Sequence, residues 1–330
     1  MRITLLVILT LLLMLGNIFF GAIDIPAADV WGILTGVPAD DALEFIVLQS
    51  RLPQAVTATL AGAGLAASGL MLQTTFRNPL AGPSILGITS GASLGVALVM
   101  LMFGGVISIG AESIGGDIAV TAGALLGSFL VMGMLIALST RIRSNLTLLI
   151  AGMMTGFLAT SLVTLLSSLS TAQGVQNYVM WGMGTFAGVT ADRLPWFALL
   201  AVAGLLMSML LAKPLNLLML GDNYAANLGI NVHMVRNQLL VATGLLSAVI
   251  TACCGPIGFI GLAMPHIARL IFRTDDHFVL IPATMLCGAI IALACNLVSV
   301  LPGSSVIPIN ALTPLAGVPV VLYVILRGRH

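Results

Sequence analysis

The sequence predicts an all-α, polytopic membrane protein of about ten transmembrane helices, and three observations carry that reading. Of 330 residues, 59% are hydrophobic and only 7% are charged, where a soluble globular chain carries roughly a quarter charged residues. Twelve Lys and Arg with eleven Asp and Glu cannot coat a water-facing surface, so a soluble enzyme is excluded. Stretches of about 20 residues free of charge, or with a single Arg near the end as in 257–272, recur along the whole chain at the helix length that crosses a hydrocarbon core of about 30 Å.

These stretches are 3–22, 52–75, 84–103, 118–139, 145–168, 194–212, 237–255, 257–272, 278–297 and 306–326. The eighth is short and the third is interrupted by glycines. The longest gaps, 23–51, 169–193 and 213–236, are too short for an independent soluble domain, which gives one membrane domain over 1–330. Arg2 followed by an apolar run resembles a signal peptide, but the length of the run and the lack of a small-residue cleavage site favour a retained helix.

With the N-terminus inside, Arg2, Arg77, Arg141, Arg143, Lys213, Arg236, Arg269, Arg273, Arg327 and Arg329 all fall on the cytoplasmic side, as the positive-inside rule requires. Only Arg51 and Arg193 then face out, and both termini are cytoplasmic. The formal charge of +1 and the absence of a basic stripe give no reason to expect nucleic acid.

The energy source is constrained by what the spans lack. A P-loop needs Gly-Lys-Ser/Thr, and the sole lysine, Lys213, precedes Pro214. No span holds a carboxylate, although proton-driven carriers keep ionisable groups there as relays. His266 alone lies at membrane depth, open to a packing reading as much as a functional one. Cys253, Cys254, Cys287 and Cys295 read as small buried hydrophobes, and no metal-ligand spacing occurs. Uphill movement would draw its energy from a partner, while a sodium-driven carrier that uses backbone carbonyls as ligands stays open.

Gly/Pro-interrupted helices at matching positions of two halves point to a transport site. One break gathers Asn78, Pro79, Gly82 and Pro83 after the second span. The other runs from Gly255, Pro256, Gly258 and Phe259 to Pro265 and His266 after the seventh. The two spans run in opposite directions, so the breaks are expected on opposite faces, with Gly258 required as glycine. Gly87, Gly91 and Gly95, Gly123 with Gly127, and Gly152 with Gly156 repeat at the spacing of close helix contact in lipid. Residues 213–236 mix polar groups with Leu217, Leu218, Leu220, Leu228 and Ile230. There Pro214 and Gly221 bracket one short helix, and Asp222 N-caps a second that Gly229 ends.

Arg51-Leu52-Pro53, RNPLAGPSILGITSGASLG at 77–95, Trp181-Gly182-Met183-Gly184, LNLLMLGDNYAANLGINV at 215–232, GPIGFIGLAMPHIARL at 255–270 and Leu315-Ala316-Gly317-Val318-Pro319 resemble the FecCD-type permeases. These are membrane subunits of ATP-binding-cassette importers for iron-siderophores, haem and vitamin B12. The resemblance covers nearly the whole chain. It implies a type II ABC importer permease in a bacterial cytoplasmic (inner) membrane, paired with a second permease copy as a homodimer or heterodimer. Cytoplasmic ATPase subunits would bind ATP and Mg, leaving this chain without cofactor or catalysis, and an outer-side binding protein would deliver substrate, with iron-siderophore first and haem or cobalamin as alternatives. It further implies that Arg51 docks the binding protein, and that the 213–236 segment, through Gly221, Ala225, Leu228, Gly229 and Arg236, seats in the ATPase. The chain departs from the family at Gln54, where a second Arg is common, around Cys295-Asn296 to Ser299-Val300, and at Val306. A rival class, an intramembrane protease built on Ser90 and His266, lacks the expected serine-glycine spacing.

Overall fold

The computed structural model describes all residues except 38, 105, 110, 111, 143, 301–305 and 328–330, so Arg143 and Arg329 lie outside the described residues. Long apolar runs fold as helices because lipid offers no partner for an unpaired backbone amide. In order these are α1 (Arg2–Phe19), α2 (Ala27–Leu34), α3 (Asp41–Phe45), α4 (Leu52–Phe76), α5 (Ile88–Ala97), α6 (Asp117–Arg141), α7 (Asn145–Leu169), α8 (Ala172–Gly182), α9 (Leu194–Leu210), α10 (Ala212–Met219), α11 (Asp222–Asn227), α12 (Val232–Cys254), α13 (Ile260–Phe272), α14 (His277–Val300) and α15 (Ile309–Arg327). Among the described residues six helices are long and apolar enough to cross a membrane, or seven if the bent pair α9–α10 is one span. Three shorter apolar helices, Ile88–Met102, Ile260–Phe272 and Ile309–Tyr323, complete the set. Each of the predicted spans coincides with one of these helices.

Local chemistry sets the ends. Ser144 Oγ accepts from the Thr147 amide at 3.3 Å to cap α7, and Asn231 Oδ1 accepts from the Met234 amide at 3.0 Å to cap α12. Pro195 occupies the first turn of α9, where a missing amide proton costs nothing, whereas Pro53 lies within the continuous helix Asp41–Phe76, just after its π-helical turn. Single π-helical turns over Ile46–Arg51 and Leu98–Met102 adjoin α4 and α5.

One short hairpin accompanies the otherwise all-helical fold. Val106–Ile109 (β1) and Glu112–Gly115 (β2) pair antiparallel, with Val106 opposite Gly115 and Ile109 opposite Glu112. The β-branched run lies between glycines in a connection too short to span, where a hairpin satisfies the backbone.

The core is central in the bundle. Helices α4, α12 and α14 are mostly buried, whereas α1, α6 and α7 show most of their surface. The exposed side chains there, including Leu12, Leu126, Leu130, Phe157 and Leu158, are large and apolar, the arrangement of a protein solvated by lipid. The glycine repeats act in packing as predicted. A Cβ at Gly91 would lie 2.5 Å from the Gly127 carbonyl oxygen, and one at Gly95 1.9 Å from that of Gly123, so α5 and α6 meet backbone to backbone.

Candidate functional site

The first break begins where α4 stops. Arg77 adopts a left-handed conformation (φ 45°), and the Asn78 amide donates to the Gln73 carbonyl at 3.1 Å, closing the helix in the manner usually left to glycine. Asn78 Oδ1 then accepts from the Leu80 amide at 2.9 Å, and successive turns carry the chain to Gly87 (φ 77°), which opens α5.

The second break begins at Gly255 (φ 77°), where a Cβ would lie 2.6 Å from the Trp181 carbonyl oxygen. Phe259 follows with φ 65°, a conformation disfavoured by the contact between Cβ and the backbone. A Cβ at Gly258 would meet nothing within 4 Å. The glycine requirement therefore sits at Gly255 and not at Gly258, because only Gly255 combines a positive φ with a backbone neighbour.

Expected on opposite faces, the breaks instead meet. His266 Nε2 donates to the Pro79 carbonyl at 3.0 Å, which fixes the proton on Nε2 because a proline carbonyl can only accept. Gly82, Pro83, Ser84 and Thr89 share a cavity of about 140 Å³ with Ile257, Gly258, Phe259 and Gly261. The cause is backbone proximity: a Cβ at Gly69 would fall 1.7 Å from the Gly261 carbonyl oxygen, so α13 lies directly on α4. Gln73 reinforces the contact, donating to Leu262 O at 3.1 Å and accepting from Arg269 at 2.9 Å. Pro265 is buried inside α13 beside His266. Ser90 lies against Gly156 of α7, while His266 Nε2 is taken up by the Pro79 carbonyl, and among the described residues no hydrogen bond joins Ser90 to His266.

The segment 213–236 folds as two short helices, with one correction. Gly221 (φ 115°) is the N-cap of α11, and Asp222 is its first residue. The Asp222 carboxylate is thereby turned to arginines, pairing with Arg77 at 2.8 Å and with buried Arg236 at 3.7 Å. Gly229 ends α11 as expected: its amide donates to Ala226 O at 3.0 Å and that of Ile230 to Ala225 O at 3.1 Å. Ala225 is fully buried, while Leu220, Tyr224 and Leu228 are exposed. Asn216 anchors α10, accepting from His277 Nδ1 at 2.7 Å and donating to Asp276 at 2.7 Å. That amide and the Phe278 N–H hold the Asp276 carboxyl below its ordinary value.

Arg51 is not where the resemblance placed it. It is 5% exposed, and its guanidinium donates to Ile18 O at 3.1 Å, to Phe19 O at 2.9 Å and to Ile23 O. A helix end leaves its last carbonyls without partners, and Arg51 supplies them for α1, so no free cation faces a docking protein there. Two departures from the family fall on one contact, because Gln54 donates to Asn296 Oδ1 at 3.0 Å and Asn296 donates to Asn17 at 2.7 Å. Asn310 was missed altogether. An amide inside an otherwise apolar span is the signal that could have marked it.

The profile of the FecCD transport family matches residues 7–327. The vitamin B12 import system permease protein BtuC of Klebsiella pneumoniae subsp. pneumoniae is 36% identical over 287 residues, 87% of this chain and 84% of that protein. Its counterpart from Salmonella typhi is 35% identical over 288 residues, 87% of this chain and 85% of that protein. A solved structure described as an inward-facing conformation of a metal-chelate type ABC transporter superposes with a TM-score of 0.85 at 30% identity, covering 100% of this chain and 99% of that one.

Proposed function

The chain belongs to the FecCD transport family, and from that premise we propose that it moves a metal chelate inward through the region where its two helix breaks meet. The observation that carries this reading is the shared cavity between Gly82–Ser84 and Ile257–Gly261 beside the His266–Pro79 contact. Irregular backbone at that depth is tolerated where it is buried in protein or lines a cavity, and both conditions hold. Asn78, Pro79, Gly82, Pro83, Gly255, Pro256, Gly258, Phe259, Pro265 and His266 form or brace the pathway.

Hydrolysis belongs to separate cytoplasmic ATPase subunits, which bind ATP and Mg, and the exposed faces of α10 and α11 seat on them. Leu228 is the apolar anchor, Ala225 and Gly229 allow close approach, and Gly221 with Arg236 fixes the segment on the body of the permease. A second copy of the chain completes the pathway, an outer-side binding protein delivers the chelate, and both termini lie in the cytoplasm.

Iron-siderophore is the first substrate reading. Cobalamin is the second, favoured by the BtuC relatives named above. The complex reconstituted with its ATPase and binding protein should accumulate one of these chelates only when ATP is present. Accumulation driven by a sodium gradient without ATP would refute the assignment.

A further inference from the structure

Three backbone segments converge on one side chain near the second break. Asn310 lies in the first turn of α15. Its Nδ2 donates to the Gly182 carbonyl at 2.8 Å and to the Pro256 carbonyl, while its Oδ1 accepts from the Gly258 amide at 3.2 Å. Its own amide donates to Met183 O at 3.2 Å. Both side-chain N–H groups and the oxygen are thus spent on main chain, and none on a neighbouring side chain.

The segments it joins are the ones least able to hold their shape alone. Residues 255–259 have no regular secondary structure and end in Phe259 with its positive φ. Such a conformation persists only where the surroundings over-determine it. Gly184, in the Trp181–Gly184 turn, also has a positive φ (72°), and a Cβ there would lie 3.4 Å from Asn310 Nδ2. The Thr185 amide ties the same turn to the Cys254 carbonyl at 2.9 Å. Carbonyls and amides of a broken helix need replacement partners inside lipid. Asn310 supplies three at once from an element of its own.

We propose that Asn310 is the positioning residue that latches the second break. Movement of α15 withdraws it from Gly182, Pro256 and Gly258 together and frees the Phe259 backbone to relax. The proposal rests on the reading that this break lines the pathway. It adds that the break is held by a single amide and not by packing alone.

The test uses Gly258→Cys as a reporter, since a side chain there meets open space. The four native cysteines are replaced by alanine, and the chain is assembled with its ATPase and binding protein in lipid nanodiscs. With Asn310 intact, labelling by a water-soluble maleimide should be slow without nucleotide and faster during ATP turnover. Asn310→Ala should raise the nucleotide-free rate about tenfold, the effect of one or two net hydrogen bonds, and abolish its dependence on ATP. Asn310→Asp keeps the volume but offers only acceptors to the Gly182 and Pro256 carbonyls, so it should behave like Asn310→Ala and separates latching from filling. Unchanged slow, ATP-dependent labelling in both variants would overturn the latch and leave the pathway standing. Absence of labelling at 258 in every background, turnover included, would overturn the pathway reading and the latch with it.

Discussion

Arg51 and Gly255 show how much a single position decides here. The guanidinium of Arg51 closes the open end of α1 from inside the protein, so Arg51→Ala should strip three carbonyls of their donors. Leaving buried polar groups unpaired costs about 1–3 kcal/mol, and the variant should show a lower midpoint of heat denaturation in detergent. Affinity of the assembled variant for the binding protein should not change; a selective loss of that affinity at unchanged stability would restore the docking role. Gly255→Ala places a Cβ against the Trp181 carbonyl in a left-handed conformation and should abolish assembly, whereas Gly258→Ala should assemble at normal yield, as read by size-exclusion profiles. The residue types at both sites were visible in the sequence. What decides their role is which way each side chain points, and that follows from helix rotation, which apolar periodicity does not encode when every face of a helix is apolar. For the same reason Gln54 and Asn296 look like two separate departures from a family pattern until they are found hydrogen-bonded to each other.

At the level of elements, α10 and α11 were legible because polar and apolar residues are mixed between two long apolar spans, and because Gly221 and Gly229 mark the ends. The cap was misassigned because Asp222 can serve as an N-cap or as a first-turn acid, and the choice depends on two arginines distant in sequence. Helix-in-groove docking rests on a few apolar anchors, and Leu228 is exposed. Leu228→Asp should therefore weaken ATPase association by roughly tenfold or more, on the scale of a buried apolar anchor, while leaving insertion intact. Co-purification of the ATPase subunit with the variant at wild-type stoichiometry would remove Leu228 from the interface. The hairpin β1–β2 was not legible, because four-residue strands carry too short a pattern to stand out beside spans of twenty. The meeting of the two breaks was not legible either, since it is set by the Gly69–Gly261 contact between helices far apart in sequence.

Across the molecule, four of the cations expected on one side, Arg2, Arg77, Arg236 and Arg269, gather at one end of the bundle. Arg77, Arg236 and Asp222 converge at one end, where Arg269 also approaches Asp275 at 3.8 Å. Arg2 lies at that same end, donating to the Ile271 carbonyl at 2.6 Å, while Arg51 sits at the far end of α1. If the cation-rich end is cytoplasmic, a cysteine placed at position 41 should be labelled by an impermeant reagent from outside, and one at 228 should be protected until the membrane is opened. The reverse pattern would invert the protein. The helical membrane character was readable from composition because lipid imposes a length on each helix, although six or seven of the described helices reach the crossing length where ten spans were expected; their arrangement required contacts.

The glycine seam between α5 and α6 has a mechanical consequence. Where carbonyl oxygens occupy the places of missing Cβ atoms, sliding one helix along the other by a single residue would drive Ala92 or Ala124 into main chain. Shear is thus forbidden along this seam, and the two helices must swing as one rigid paddle. The pivots are left to the segments that bound the pair, after Phe76 and after Arg141. A stroke that carries this pair must bend the chain there and leave the paddle itself unchanged.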